Sequence, residues 1–113
     1  MVTEVRKILG KKRPVAAGTP EDLYGPPVDS EAVTSTLTIT NVTEDISKAR
    51  IYVLQSGDVA DLDNALYYDL PITGNDTFAA TVGLALKAGE KIMVESEIGG
   101  ALNFMAFGVE INL

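Results

Sequence analysis

The chain has 113 residues, 46% of them hydrophobic, and a net charge of −7 at neutral pH. That length suits one domain with a single apolar core, and the composition argues against wholesale disorder. Cysteine, histidine and tryptophan are all absent, which removes disulfides, thiolate nucleophiles, sulfur-ligated zinc and the commonest general base, so that no enzyme is expected.

The charge is unevenly placed. Residues 1–13 hold Arg6, Lys7, Lys11, Lys12 and Arg13 against Glu4 alone, while the rest holds four basic groups against fifteen acidic ones. A basic segment on an acidic body suits docking on an acidic protein surface better than on nucleic acid, whose phosphates the body would repel. No charged stretch leading into an apolar one opens the chain, so no conventional export signal is expected, and no apolar run is long enough to span a membrane. Residues 10–30 contain four of the five prolines and three of the ten glycines, a linker composition. Residues 1–20 therefore read as an extended arm, with the folded domain over 21–113. Removing residues 1–13 is expected to leave that domain folded.

Asp22-Leu23-Tyr24 reads as a short edge strand closed by Pro26-Pro27. From Glu31 the pattern takes period two, with Val33, Ser35, Leu37 and Ile39 expected to be buried and Thr34, Thr36, Thr38 and Thr40 to form an outward threonine ladder. After the turn-like Asn41–Asp45, Ala49, Ile51 and Val53 alternate with Lys48, Arg50 and Tyr52. Gly57–Asn64 is a loop. Leu66, Tyr68, Leu70 and Ile72 alternate again, with Pro71 confining that strand to an edge or an irregularity, and the adjacent Tyr67 and Tyr68 must face opposite ways. The TGND run at 73–76 is a connection: Gly74 supplies a conformation other residues resist, and Asn75 or Asp76 bonds backbone groups. Phe78, Ala80, Val82, Leu84 and Leu86 keep period two, and Ile92 and Val94 begin another strand. The last run is apolar on both faces, Leu102 and Phe104 on one and Phe107, Val109 and Ile111 on the other. A bulge near Met105-Ala106 or cover on both sides would account for it. Six or seven short strands with regular turns and no helical periodicity give an all-β chain, an antiparallel β-sandwich or jelly-roll-like domain with an extended N-terminal arm.

Motifs with chemistry are few. Asp58, Asp61 and Asp63 offer oxygen ligands for calcium, but without EF-hand spacing or its glycine. Glu95, Glu97 and Glu110 are the carboxylates to consider as an acid/base pair, yet the chain lacks the aromatic platforms of a sugar cleft. Asn41-Val42-Thr43 and Asn75-Asp76-Thr77 match the glycosylation sequon, each within a turn. No phosphate-binding glycine pattern is present, and no cofactor is expected. The Lys11-Lys12-Arg13 cluster has no neighbouring aromatic on which a base would stack.

Taken together, these segments carry a resemblance. KILGKKRPVAAGTPEDLYGPP followed by AVTSTLTITN resembles the opening of small β-sandwich virion proteins of tailed bacteriophages, in which an arm of the type VLG…P…DLY…VP precedes a strand of the type SSIxVxN. YYDLPITGNDTFAATVGLALKAGEKIMV is similar to their YxDxPIxxNDTF…GxxLxxGDxIxV core, and LNFMAFGVEI to their LSFNxFGxEI close. The order is kept from about Lys7 to Ile111. Gly25 and Glu90 depart from the pattern, and Lys11-Lys12-Arg13 is particular to this chain. The resemblance implies a structural role in the particle, as a capsid decoration (cement) subunit or as a tail or fibre adaptor. It implies a homotrimer whose partners are the major capsid protein or other virion proteins, assembled in the host cytoplasm and located on the capsid surface or tail. Neither nucleic acid nor membrane is a partner in this reading. Arg6, Lys7, Lys11, Lys12, Arg13, Thr34, Thr36 and Thr38 are the expected interface residues. A bacterial carbohydrate-binding or adhesion domain is the alternative from another class.

Overall fold

β-branched and apolar residues at period two leave one buried stripe per strand, and two such sheets bury their stripes against each other. The computed structural model describes residues 2–113. Its strands are β1 (Thr3–Lys12), β2 (Glu21–Tyr24), β3 (Ser30–Asn41), β4 (Ser47–Leu54), β5 (Ala65–Ile72), β6 (Thr77–Lys87), β7 (Lys91–Ser96) and β8 (Leu102–Asn112), with one 3-10 turn at Leu62–Asn64. They form two four-stranded sheets of order β1-β8-β3-β6 and β2-β7-β4-β5, and every pairing is antiparallel. Apart from the β4–β5 hairpin, successive strands alternate between the sheets, the connectivity of a jelly roll. The chain is an all-β sandwich, as its patterning predicts.

The core lies between the sheets. Leu37, Ile39, Leu102, Phe104 and Ala106 from the first sheet meet Ala49, Ile51, Ile72, Ile92 and Val94 from the second. From β6, Phe78, Val82 and Leu84 pack against it while Leu86 is fully part of it, as their alternation predicts. Tyr67 turns inward onto Phe78, edge to face at 5.5 Å, and Tyr68 turns outward and is exposed. Pro71 sits in β5, an edge strand, where its missing N–H costs no ladder bond.

Three expectations change. The first concerns residues 1–20. Thr3–Lys12 pair along their length with β8, and Leu9 joins the core. Beyond β1, the Gly18 N–H donates to Ser96 O at 2.9 Å and the Gly100 N–H donates to Pro14 O at 2.8 Å. These residues are an edge strand and a strap of the sandwich, and the domain begins before Glu21. Gly10 is fixed here by crowding, because a Cβ would fall 2.2 Å from Leu23 O.

Second, β3 does not hold one phase. Its pairing with both neighbours shifts between Thr34 and Thr36, so Ser35 is a bulge residue and the faces exchange around it. Ala32 and Thr34 point inward before the bulge, and Leu37 and Ile39 after it. Val33 is consequently outward and Thr34 fully buried. Third, β8 itself carries no bulge. The shifts lie in its neighbours, at Leu9 of β1 opposite the Ala106–Phe107 step and at Ser35 of β3 opposite the Phe107–Gly108 step. β8 runs straight, with Leu102, Phe104 and Ala106 in the core and Met105, Phe107, Val109 and Ile111 on the opposite side.

The 73–76 connection is a turn packed on another turn. Asn75 takes the left-handed conformation (φ 57°), one that Asn tolerates. Gly74 has another duty, since a Cβ there would lie 2.1 Å from Glu44 O. The Asp76 carboxylate accepts the Thr77 N–H at 2.8 Å, a structural use.

Candidate interaction surfaces

Once the core is closed, three features remain: the outer face of the β1-β8-β3-β6 sheet, the basic edge along β1, and a cleft on the outer face of the other sheet.

On the first face, β8 presents Asn103, Met105, Phe107, Val109 and Ile111, and β6 presents Thr77, Ala79, Thr81, Gly83 and Ala85. Between them β3 presents Val33, Ser35, Thr36, Thr38 and Thr40. A sheet with one solvated side ordinarily alternates apolar-in with polar-out. Here the outward row of β8 is almost as apolar as the inward one, and Val33 and Ile8 add exposed apolar surface. Charges occur only at the margins, with Glu4, Arg6 and Lys11 on β1 and Glu31 and Lys87 at the end of β3 and β6. At that end a hollow of about 250 Å³ opens between Val33, Ala85, Ile111 and Lys87.

The expected interface residues are divided by the fold. Thr36 and Thr38 lie on this face, whereas Thr34 is 0% exposed and cannot meet a partner. Lys7 points between the sheets and pairs with Glu110 at 3.6 Å, and Lys12 pairs with Glu21 at 3.2 Å. Arg6, Lys11 and Arg13 make no ion pair among the described residues and stay at the surface. The basic segment therefore does two jobs, tying β1 to β8 through Lys7 and to the other sheet through Lys12, and charging the open edge through the rest.

The cleft is built by a bulge. Ala49 pairs with Leu70 and Ile51 with Tyr67, so Arg50 faces two residues, Tyr68 and Asp69. Asp69 adopts φ 56°, which aims its carboxylate at Arg50 Nε (2.7 Å). The guanidinium lies 4.0 Å over the Tyr68 ring and donates from Nη1 to Glu95 at 3.2 Å. The Tyr52 hydroxyl donates to the other Glu95 oxygen at 3.3 Å. Arg50's hydrogen bond to Asp69 holds that carboxyl below the usual carboxylate range. Burial pushes the Tyr52 hydroxyl up, and the Glu95 charge adds to it. The space beside this cluster is about 600 Å³ and is lined further by Gly18, Pro20, Asp61 and Asp63.

Other singled-out residues serve the fold. Glu95 and Glu97 border one depression, but Glu110 belongs to the other sheet and accepts from Tyr24 at 2.7 Å. Asp58 accepts the Gln55 N–H, and Asp61 caps the 3-10 turn through the Asp63 N–H. No group of acidic side chains able to hold a metal ion occurs among the described residues, and none of their helices is long and apolar enough to cross a membrane. Asn41 is 1% exposed and its amide bonds the carbonyls of Asp45 and Ile72, so it offers no nitrogen to a glycan. The Arg50 cluster was not legible in sequence, because the bulge that gathers it leaves no signature beyond an unremarkable YYD.

No protein-family model and no curated protein matches the chain. Among solved structures it is similar to that of infectious bursal disease virus Gx strain, with 13% identity and a TM-score of 0.50 over 98% of this chain. The structure of the Gt strain matches over 98% as well, at 12% identity and a TM-score of 0.48. The chain spans 31% of the length of each matched chain. At this identity the Gx likeness is one of fold, and it agrees with the sandwich described above.

Proposed function

We propose that the chain is a non-enzymatic structural subunit of a virion, most simply a capsid decoration subunit that docks through its basic β1 edge. The observation that carries this is the arrangement of one surface: a nearly charge-free sheet face with an apolar row along β8, bordered by Arg6, Lys11 and Arg13 on an otherwise acidic body. Surfaces of that kind suit protein partners, since the apolar centre favours burial and the rim charges set orientation and encounter rate. The resemblance to small tailed-phage virion proteins supports the reading, and so does a fold similar to that of a chain in the structure of infectious bursal disease virus. The partner in this reading is the major capsid protein or another virion protein, met on the capsid surface or tail. A trimer, implied by the resemblance, is decided by the mass of the assembly.

Co-sedimentation tests it. Capsid shells and tails of the particle encoded by the neighbouring genes are mixed separately with the purified protein. Saturable binding to shells that weakens with added salt and with Arg6→Ala/Lys11→Ala is expected. Binding to tails alone would favour the adaptor role. One observation favours a further reading: Tyr68 is 44% exposed beside a cleft with acidic groups, a setting that suits sugar hydroxyls. Binding on a glycan array that Tyr68→Ala abolishes, with no binding to shells or tails, would replace the virion role with carbohydrate recognition.

A further inference from the structure

The open face of the β1-β8-β3-β6 sheet has a relief that suggests its own occupant. We infer that it is covered by a second copy of this chain, packed face to face about a two-fold axis running along β3. The inference does not rest on the docking role proposed above, and it sets a dimer against the trimer that the resemblance implies.

The relief is a ridge beside a trough. β8 raises the large side chains Met105, Phe107 and Val109, whereas two strands away β6 offers only Ala79, Thr81, Gly83 and Ala85, with open space where a Gly83 side chain would stand. β3 lies midway between them in the sheet order. A two-fold axis parallel to the strands and above β3 therefore carries the β8 ridge of one copy onto the β6 trough of the other. The same operation conserves height along the strands. Phe107, level with Thr36 and Thr81, then meets the partner's small residues around Thr81 and Gly83. Val109, level with Val33 and Ala85, falls toward the partner's Ala85, and Met105, level with Thr38 and Ala79, toward its Ala79. A surface that fits itself under a two-fold is what an isologous dimer requires.

Charge agrees with this placement. β1 is the strand farthest from β6, so the axis sets Arg6 and Lys11 beyond the partner's β6 edge, where they stay solvated. The remaining centre is uncharged, which matters when each copy carries −7. With the axis above β3 only β8, β3 and β6 overlap their counterparts, three strands of eleven or twelve residues that at about 4.8 Å spacing and about 3.3 Å rise span on the order of 500 Å². Stable interfaces bury about 800 Å² per partner, so a concentration-dependent dimer is expected. Aligned packing of two twisted sheets at about 10 Å is an ordinary arrangement.

Sedimentation equilibrium of the full chain is the first test, with a concentration-dependent mass of twice the 12.0 kDa chain expected. Gly83→Arg fills open space in one copy and blocks the trough, so it should give a monomer with unchanged far-UV circular dichroism, while Gly83→Ser should keep the dimer. Geometry is checked by cross-linking, because the chain has no cysteine of its own. Thr38→Cys, near the axis, should be joined to its copy by a bis-maleimide spanning about 10 Å, and Lys11→Cys should not. A monomer at every concentration overturns the inference, as does a trimer or a dimer that tolerates Gly83→Arg. Preferential linkage through Lys11→Cys overturns it too. A monomer whose shell binding is lost in Gly83→Arg assigns the face to a virion partner instead.

Discussion

Asn41 and Thr34 sit in the same strand, both buried, and their polar atoms have opposite fates. The Asn41 side chain donates to the carbonyls of Asp45 and Ile72 at 2.8 and 2.9 Å and accepts from the Thr43 N–H and hydroxyl at 2.9 and 2.8 Å. It uses its full bonding capacity to tie the 41–45 turn to the end of β5. Asn41→Ala strands the buried Ile72 carbonyl and should lower unfolding free energy by about 3 kcal/mol, measured by urea denaturation. Thr34 Oγ1 has no partner in its buried position, a desolvated hydroxyl that contributes nothing in return. Thr34→Val keeps the shape and removes that atom, so stability should rise by about 1 kcal/mol. A loss of stability in the same denaturation experiment would mean that the hydroxyl is bonded after all.

At the scale of elements, strands with one buried face were legible and β1 was not. β6 and β8 show their faces in sequence because each sends a continuous alternating row of apolar side chains toward the core. β1 hides, since Leu9 is its contribution to the core and the lysines and arginine that discourage stray pairing at its open edge dominate the rest. Its TEVRKILGKK therefore read as a solvated arm. The bulges at Leu9 and Ser35 were also unreadable, for they depend on the strand opposite. The threonines of β3 conceal theirs, because Thr fits either face. The open face was visible in part as the two-sided apolar character of residues 101–111, though not which side stayed uncovered. That β1 belongs to the sandwich reverses the expected effect of truncation. Deleting residues 1–13 removes Leu9 from the core, a change worth about 2–5 kcal/mol for a buried leucine, and breaks the Lys7–Glu110 and Lys12–Glu21 pairs. It also bares the edge of β8. The truncated chain should melt at markedly lower temperature and aggregate, read by calorimetry and light scattering, whereas an unchanged melting temperature would restore the arm.

Across the whole molecule, the two sheets are joined at one end by Tyr24 and Glu110 and braced on the outer face by Arg50, and both devices titrate. Burial first, then the hydrogen bond to Glu110 and its charge, pushes the Tyr24 hydroxyl well above its ordinary range, and burial does the same to Tyr52. Above about pH 10 tyrosines in the unfolded chain lose their protons, while these two keep theirs in the fold. The unfolded state then binds fewer protons, so stability falls as pH rises from about 10, and the contribution is complete below it. Asp69 acts in the other direction. Its carboxyl is lowered by Arg50, so its contribution is present above the ordinary carboxylate range of about 4 and is lost as pH falls through the lowered value. That group is exposed, and its acid limb should be shallow. The melting temperature should therefore form a plateau from about pH 5 to 9, with the steeper fall on the alkaline side. Tyr24→Phe removes the hydroxyl and should flatten that alkaline fall while lowering the plateau, because Glu110 loses a donor and keeps only Lys7. An alkaline limb as steep in Tyr24→Phe as in the parent would show that the link between the sheets is not what titrates.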